Sequence, residues 1–377
     1  MRSLPIWLLG ALLLLWVPAC SPRPEPQTAS PASPAATPGA GSPAAGGEGD
    51  KVVVYTPFPE ITARELAAAF EKKTGIHVEQ VLEGTTKVFA RIRAEKNYPR
   101  CDVWYGGGGM IPFMVAAQEN LLEPYPSPRG GPQKRGNLIL RDADWRWQGM
   151  AVIALGYAYN PQVLKESDIP RQWSDLADPR WKGKIEMWDP AESGTAMLFL
   201  EAALLRAIQD GKGEEAGWEY LTSFYKNLKR YTVEGKPAFN VARGETLIGI
   251  HFEHQVLEFL AEQSGGSQQV ANVTQNIRWY LPDRSPVIVD PIALVRGAPH
   301  PENGRKFIDF VLSEEGQRIV NRFCYTMNPH LPPPRGLDMT LEQVLKKAMP
   351  LDPEWMSQKY DAVRKRWQDE VEAVPKD

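Results

Sequence analysis

The chain has 377 residues, more than one ordinary hydrophobic core accommodates, so two lobes are expected. Hydrophobic residues make up 43% and charged residues 24%, the proportions of a soluble globular body. The net charge of −3, with no basic block and no Lys/Arg stripe, excludes nucleic acid as a partner.

Met1 and Arg2 give a short basic start, and residues 4–17 are almost wholly apolar. That run is shorter than the roughly 20 residues a membrane-spanning helix needs. It fits the apolar region of a cleaved signal peptide. The run ends in Val17-Pro18-Ala19-Cys20, which resembles the lipobox of bacterial lipoproteins. The resemblance implies that the Cys20 thiol is diacylated and heads the mature chain, so residues 1–20 read as a lipoprotein signal peptide. Residues 21–50 are nearly all Pro, Ala, Ser, Gly and Thr, which cannot bury a core. They read as a disordered tether with a reach of roughly 30 Å. A lipid followed by a tether describes an exported body held at a membrane surface, facing periplasm or exterior.

Residues 51–55 read as a short buried strand. Thr62 and Glu65 have the spacing of a capping box that opens a helix ended by Gly75. Residues 76–81 form the next strand, and Gly84-Thr85-Thr86 opens a second helix. Residues 102–105 form a third strand, followed by the glycine run 106–109 and another helix. Strand alternating with helix implies a parallel sheet with helices on its faces, and ligands bind beyond the carboxyl ends of such strands. Further on, residues 150–159 read as a strand, and Ser193-Gly194-Thr195 opens a helix to about residue 209. Helix is expected over 214–228, strand over 244–251 and 286–295, and helix over 301–312, 341–348 and 353–372.

Several stretches carry a family resemblance through their order and spacing. They are Asp102-Val-Trp-Tyr followed by four glycines, Trp173-Ser-Asp-Leu-Ala-Asp-Pro-Arg-Trp-Lys-Gly183, Pro190-Ala-Glu-Ser-Gly-Thr195, and Asp290-Pro-Ile-Ala-Leu-Val-Arg-Gly-Ala-Pro-His-Pro301. The chain resembles the extracellular solute-binding proteins of ABC importers, in the branch of ferric-ion-binding and sugar-phosphate-binding proteins. The resemblance implies a two-lobed α/β fold of the type II periplasmic-binding-protein kind, with a ligand cleft that closes by hinge motion. It places lobe 1 at 51–150 plus 285–335 and lobe 2 at 151–284 plus 336–377. On this map Cys101 and Cys324 share a lobe, which leaves either a disulfide or two buried thiols open. The implied role is delivery of a small solute to a membrane permease by a monomer that needs no cofactor. No catalytic triad, zinc motif or paired catalytic carboxylate argues for an enzyme.

The ligand is read from the loop ends. The turns at Thr85 and Thr86, at Gly107 and Gly108, and at Ser193, Gly194 and Thr195 combine helix N-termini with small or hydroxyl residues. Such turns make an anion site from backbone N–H groups, or serve as plain helix caps. Thr56 ends the first strand where family members touch ligand. Glu253 and His254 follow a strand that faces the cleft in the family, and Asp290 is a carboxylate in an apolar strand. These eleven positions point to a small anionic ligand such as a sugar phosphate or phosphonate. The alternative is ferric iron held by His251, Glu253, His254 and Asp290. Ferric-binding relatives use adjacent tyrosines, and this chain has no Tyr-Tyr pair.

Overall fold

The computed structural model describes residues 51–135, 138–232, 237–263, 276–328 and 330–376. The signal peptide, Cys20 and the tether lie outside the described residues. Three strands, β1 (Lys51–Thr56), β2 (His77–Leu82) and β3 (Val103–Tyr105), alternate with helices α1 (Glu60–Thr74), α2 (Thr85–Ala94) and α3 (Ile111–Gln118). Short strands β4 (Leu122–Glu123), β5 (Lys134–Arg135) and β6 (Leu138–Ile139) lead into the long β7 (Gln148–Tyr159). Then come β8 (Ile185–Trp188), α4 (Gly194–Gln209), α5 (Glu214–Asn227), β9 (Leu228–Thr232), α6 (Pro237–Ala242), β10 (Ile248–Phe252) and α7 (Glu253–Gln263). The chain finishes with β11 (Arg278–Tyr280), β12 (Val287–Val295), α8 (Pro301–Val311), α9 (Glu314–Val320), β13 (Tyr325–Thr326), α10 (Leu341–Lys346) and α11 (Pro353–Arg366).

The strands run in the order β2-β1-β3-β12-β7-β10-β8-β9. β2, β1 and β3 are parallel, as are β10, β8 and β9. Between these blocks lie β12 and β7, paired antiparallel to each other. Every residue of β7 and β12 is buried, so these two strands form the spine joining the blocks. The first part of β7 pairs with β12 as far as Ala154, and its second part pairs with β10 from Leu155 onward. One strand thus serves both halves of the molecule. The C-terminal α11 packs on both α3 and α4.

Pro291 has no N–H to donate, and the β12–β7 register slips there: Asp290 faces Ala151 while Pro291 faces Gly149. The skipped Met150 carbonyl accepts instead from the Gln317 side chain at 3.0 Å. Behind β3, Trp104 is stacked between Phe89 and Phe113, with ring centroids 5.6 and 3.7 Å away. That buried stack holds the strand from which the glycine run departs.

One expectation is corrected, and one alternative left open by the sequence is decided. α1 begins at Glu60, so Thr62 is a fully buried residue inside the helix and not its cap. Cys101 and Cys324 form no disulfide; both are free, buried thiols. The Cys101 thiol meets the Val103 carbonyl at 3.2 Å, whereas Cys324 is buried where it feels the charges of Glu253, Asp290 and Glu258. Burial pushes both thiols well above the usual cysteine range. Neither should react with an aromatic disulfide reagent in the native protein, and both should titrate on denaturation. Rapid native labelling of either would contradict this burial.

Candidate functional site

The carboxyl ends of β1, β3, β8 and β10 converge on a cavity of about 300 Å³. Of the eleven expected ligand positions, Thr56, Thr85, Gly107, Gly108, Ser193, Thr195, His254 and Asp290 border it, and His251 does too. Thr86, Gly194 and Glu253 do not. Thr86 turns its side chain into the core beside Tyr360, while its N–H reaches the Glu192 carbonyl at 3.3 Å. Thr56 borders the cavity with its hydroxyl already engaged: it donates to the Tyr105 carbonyl at 2.8 Å and accepts from the Phe58 N–H at 2.9 Å.

The glycines also make room for backbone. A Cβ on Gly108 would lie 2.5 Å from the Gly194 carbonyl carbon, and one on Gly84 would lie 2.3 Å from the Glu192 carbonyl oxygen. A Cβ on Gly194 would lie 2.7 Å from the Gly107 oxygen and 2.9 Å from the Thr85 hydroxyl. What these residues admit is backbone from a segment distant in sequence. On the rim, Lys87 and Glu192 pair across the cleft at 2.7 Å with both side chains about half exposed.

The run Gly106–Gly109 has φ angles of 71°, 118°, 75° and 95°, all in the left-handed region that favours glycine. This curl turns its N–H groups inward, and the anion it holds belongs to the protein itself. The Asp290 carboxylate accepts from Gly109 N–H at 3.0 Å and also from Gly107 N–H. Burial outweighs those bonds and pushes the Asp290 carboxyl up to about 7.

Glu253, expected to contact ligand, lies beneath the cleft. Its carboxylate accepts the Ala154 N–H at 2.8 Å, at the residue where β7 leaves β12 and before it takes up β10. The side chain therefore completes the ladder at the changeover. Burial raises its carboxyl to about 8, with the charge of Asp290 adding to the rise.

His254 is stacked between Phe58 and Phe252, at centroid distances of 5.8 and 5.5 Å. Its imidazole thereby joins the loop after β1 to the end of β10. His251 is fully buried, with Nδ1 3.3 Å from Oε1 of Gln255. That oxygen also accepts from the Phe252 N–H at 3.0 Å, which identifies it as the amide oxygen and makes His251 Nδ1 the donor. The Gln255 amide nitrogen donates to the Thr195 hydroxyl at 3.4 Å. Gln255 was noted in the sequence beside His254 but not counted as a ligand position, and Glu258 was not picked out. Helical spacing from His254 carried the signal for Glu258, four residues on and on the same face.

Three helices start at the cavity without side-chain caps of their own: α1 after Pro59, α2 after Gly84 and α4 after Ser193. The Ser193 side chain makes no cap bond to its own helix, and the start of α4 borders the cavity with the Thr85 hydroxyl close to Gly194. The bordering carboxylates are engaged elsewhere: Glu83 with Arg91, Glu192 with Lys87, and Glu60 with Arg64. No Lys, Arg or Tyr is among the bordering residues described. Among the described residues no three His, Cys, Asp or Glu side chains stand close enough together to hold a metal ion, so the alternative set His251, Glu253, His254 and Asp290 does not converge.

Two α/β lobes closing on a cleft between them define a periplasmic binding protein of type II. The chain belongs to the bacterial extracellular solute-binding proteins, whose family model matches residues 113–348. A putative 2-aminoethylphosphonate-binding periplasmic protein of Salmonella typhimurium is 29% identical over 266 residues, covering 69% of this chain and 71% of that one. The major ferric iron-binding protein of Neisseria meningitidis serogroup B is 27% identical over 289 residues, covering 74% and 82%. Among solved structures, the periplasmic binding protein AfuA of Actinobacillus pleuropneumoniae with fructose-6-phosphate bound superposes with a TM-score of 0.70. It has 29% identity and covers 86% of this chain and 99% of its own.

The buried carboxyls of Asp290 and Glu253 predict a pH dependence of stability, to which Glu201, also pushed well above the usual carboxyl range by burial, adds in the same sense. An acid whose folded pKa is raised is protonated more readily when folded. Stability therefore falls as pH rises from the unfolded value of roughly 4, up to about 7 for Asp290 and about 8 for Glu253. The slope is about 1.4 kcal/mol per pH unit for each group within its window. Melting curves between about pH 5 and 8 should show this decline, and Glu253→Gln, which keeps an acceptor for Ala154, should make it shallower by the share of that one group. A slope unchanged by that substitution would show that Glu253 does not titrate there.

Proposed function

We propose that this protein is the substrate-binding component of an ABC importer for a small organic phosphate or phosphonate. The lobes are 51–150 with 285–335 and 151–284 with 336–377. One observation carries the choice of ligand: the start of α4 lines the cleft without a side-chain cap, with Ser193 at its tip and Thr85 facing it. A helix N-terminus flanked by hydroxyls binds an anion by dipole and hydrogen bonds and needs no Lys or Arg. The cavity of about 300 Å³ suits a compact ligand. The Salmonella relative named for a phosphonate and the neighbour solved with a sugar phosphate agree with this chemistry. Hard Fe(III) favours phenolate and clustered carboxylate, which the described lining lacks.

Cys20 supports lipid anchoring of the mature chain, with the tether spanning the gap to a membrane permease. Members of the family bind solutes. The protein works as a monomer, without cofactor or chemical step, and closure is its whole action.

A thermal-shift panel tests the reading, using hexose phosphates, 2-aminoethylphosphonate, inorganic phosphate and ferric citrate. A ligand at about 100 times its Kd stabilises by about 2.7 kcal/mol. An organophosphorus compound should give this shift. A shift with ferric citrate alone, abolished by chelator, would replace the reading with iron. Thr85→Ala with Ser193→Ala should weaken binding more than either change alone, by roughly 1 kcal/mol for each hydroxyl. Unchanged affinity of the double variant in calorimetry would refute the two-sided anion clamp.

A further inference from the structure

α1 borders the cleft but brings no cap of its own. Its N-cap position is Pro59, which has no side-chain acceptor. Thr62 and Glu65 lie inside the helix, and Glu65 is paired with Arg322. Glu60 is paired with Arg64. The first N–H groups of a helix nevertheless need acceptors, above all where water is excluded. The Ile61 N–H finds one at 2.7 Å, in Oε1 of Glu258.

Glu258 belongs to α7, which packs on β7, β10, β11 and α6. α1 packs on β2, α8 and α9. The bond from Glu258 to Ile61 therefore crosses the cleft, and it is deeply placed, since Glu258 is only 2% exposed. Glu258 also stands one helical turn beyond His254, and both border the cavity. The same face of α7 thus meets the ligand space with one side chain and the opposite lobe with the next.

We propose that Glu258 is a positioning residue for ligand capture: a latch that caps the N-terminus of α1 from the opposite lobe as the cleft shuts. The inference rests on this cleft being the ligand site. A carboxylate at a helix N-terminus gains both from the dipole and from a charge-assisted hydrogen bond. Opening the cleft parts the pair. The Lys87–Glu192 pair also crosses the cleft, but it is half exposed and screened by water, so it contributes little. The abutting glycines permit contact without directing it. Glu258 supplies a buried, directional bond that exists only with the lobes together.

The latch can be tested without a ligand. Lys87→Cys and Glu192→Cys place thiols on the two rims, and the rate of joining them with a short bismaleimide reports the population of closed molecules. Adding Glu258→Ala should slow joining about 10-fold or more, the loss expected for a charged hydrogen bond. Glu258→Gln keeps an acceptor and should restore the rate to within about threefold. Equal rates in all three backgrounds would overturn the proposal. So would a Glu258→Ala protein that melts earlier but joins at the parental rate, since that is a purely structural role. In Glu258 variants with Lys87 and Glu192 intact, affinity for the organophosphorus compound found in the panel should fall by the same factor as the joining rate. A blank panel would count against the ligand assignment alone, and the joining rates would still decide the latch.

Discussion

The rest of the structure depends on two strands that cross between the lobes while buried along their whole length. β7 and β12 have no water to satisfy an unpaired backbone group, so each irregularity in their ladder must be repaired by the protein. There are two irregularities. At Pro291 the register slips, and Gln317 takes up the stranded carbonyl. At Ala154 the strand changes partner, and Glu253 takes up the stranded N–H. Both repairs use side chains from outside the crossing strands. The crossing strands are thereby kept in one register where they join the two blocks of parallel strands.

The repair at Ala154 and the neighbouring Asp290 place two fully buried carboxyls beside the crossing strands. Asp290 is held by the curl of glycines that begins the cleft-side loop after β3. The crossing strand is in this way bonded directly to the surface that meets the other lobe. A movement of β12 must carry Gly107 and Gly109 with it, and Gly108 between them is the point of contact with Gly194. The crossing strand and the surface that abuts Gly194 are one bonded piece.

The glycines of the loop ends were read in the sequence as part of an anion site, and in the structure they also make room for a second backbone. Either purpose requires the same missing Cβ, so residue identity alone cannot separate them. Hydroxyls divide in a similar way. Thr56, Thr85 and Ser193 all reach the cavity, but Thr56 is tied back to its own loop and Thr86 faces the core. Adjacent residues on a helix point about 100° apart, so one of a Thr-Thr pair had to turn away. Which one did so depends on how α2 sits on the sheet.

By itself the sequence determined the alternation of strand and helix, the burial of β12, the starts of α2 and α4, and the family. These follow from local pattern: apolar runs, glycine before hydroxyl, and proline where a helix begins. The capping box at Thr62 was the local rule that failed, because α1 starts two residues earlier and takes its cap from a helix 197 residues away. Only tertiary structure decided that, as it decided that Cys101 and Cys324 stay apart, that Glu253 mends a strand, and that the glycine curl encloses Asp290. Each of these concerns a partner distant in sequence. An acceptor, a thiol or an N–H shows its type in the sequence, but what it meets is set by how the sheet brings separate segments together.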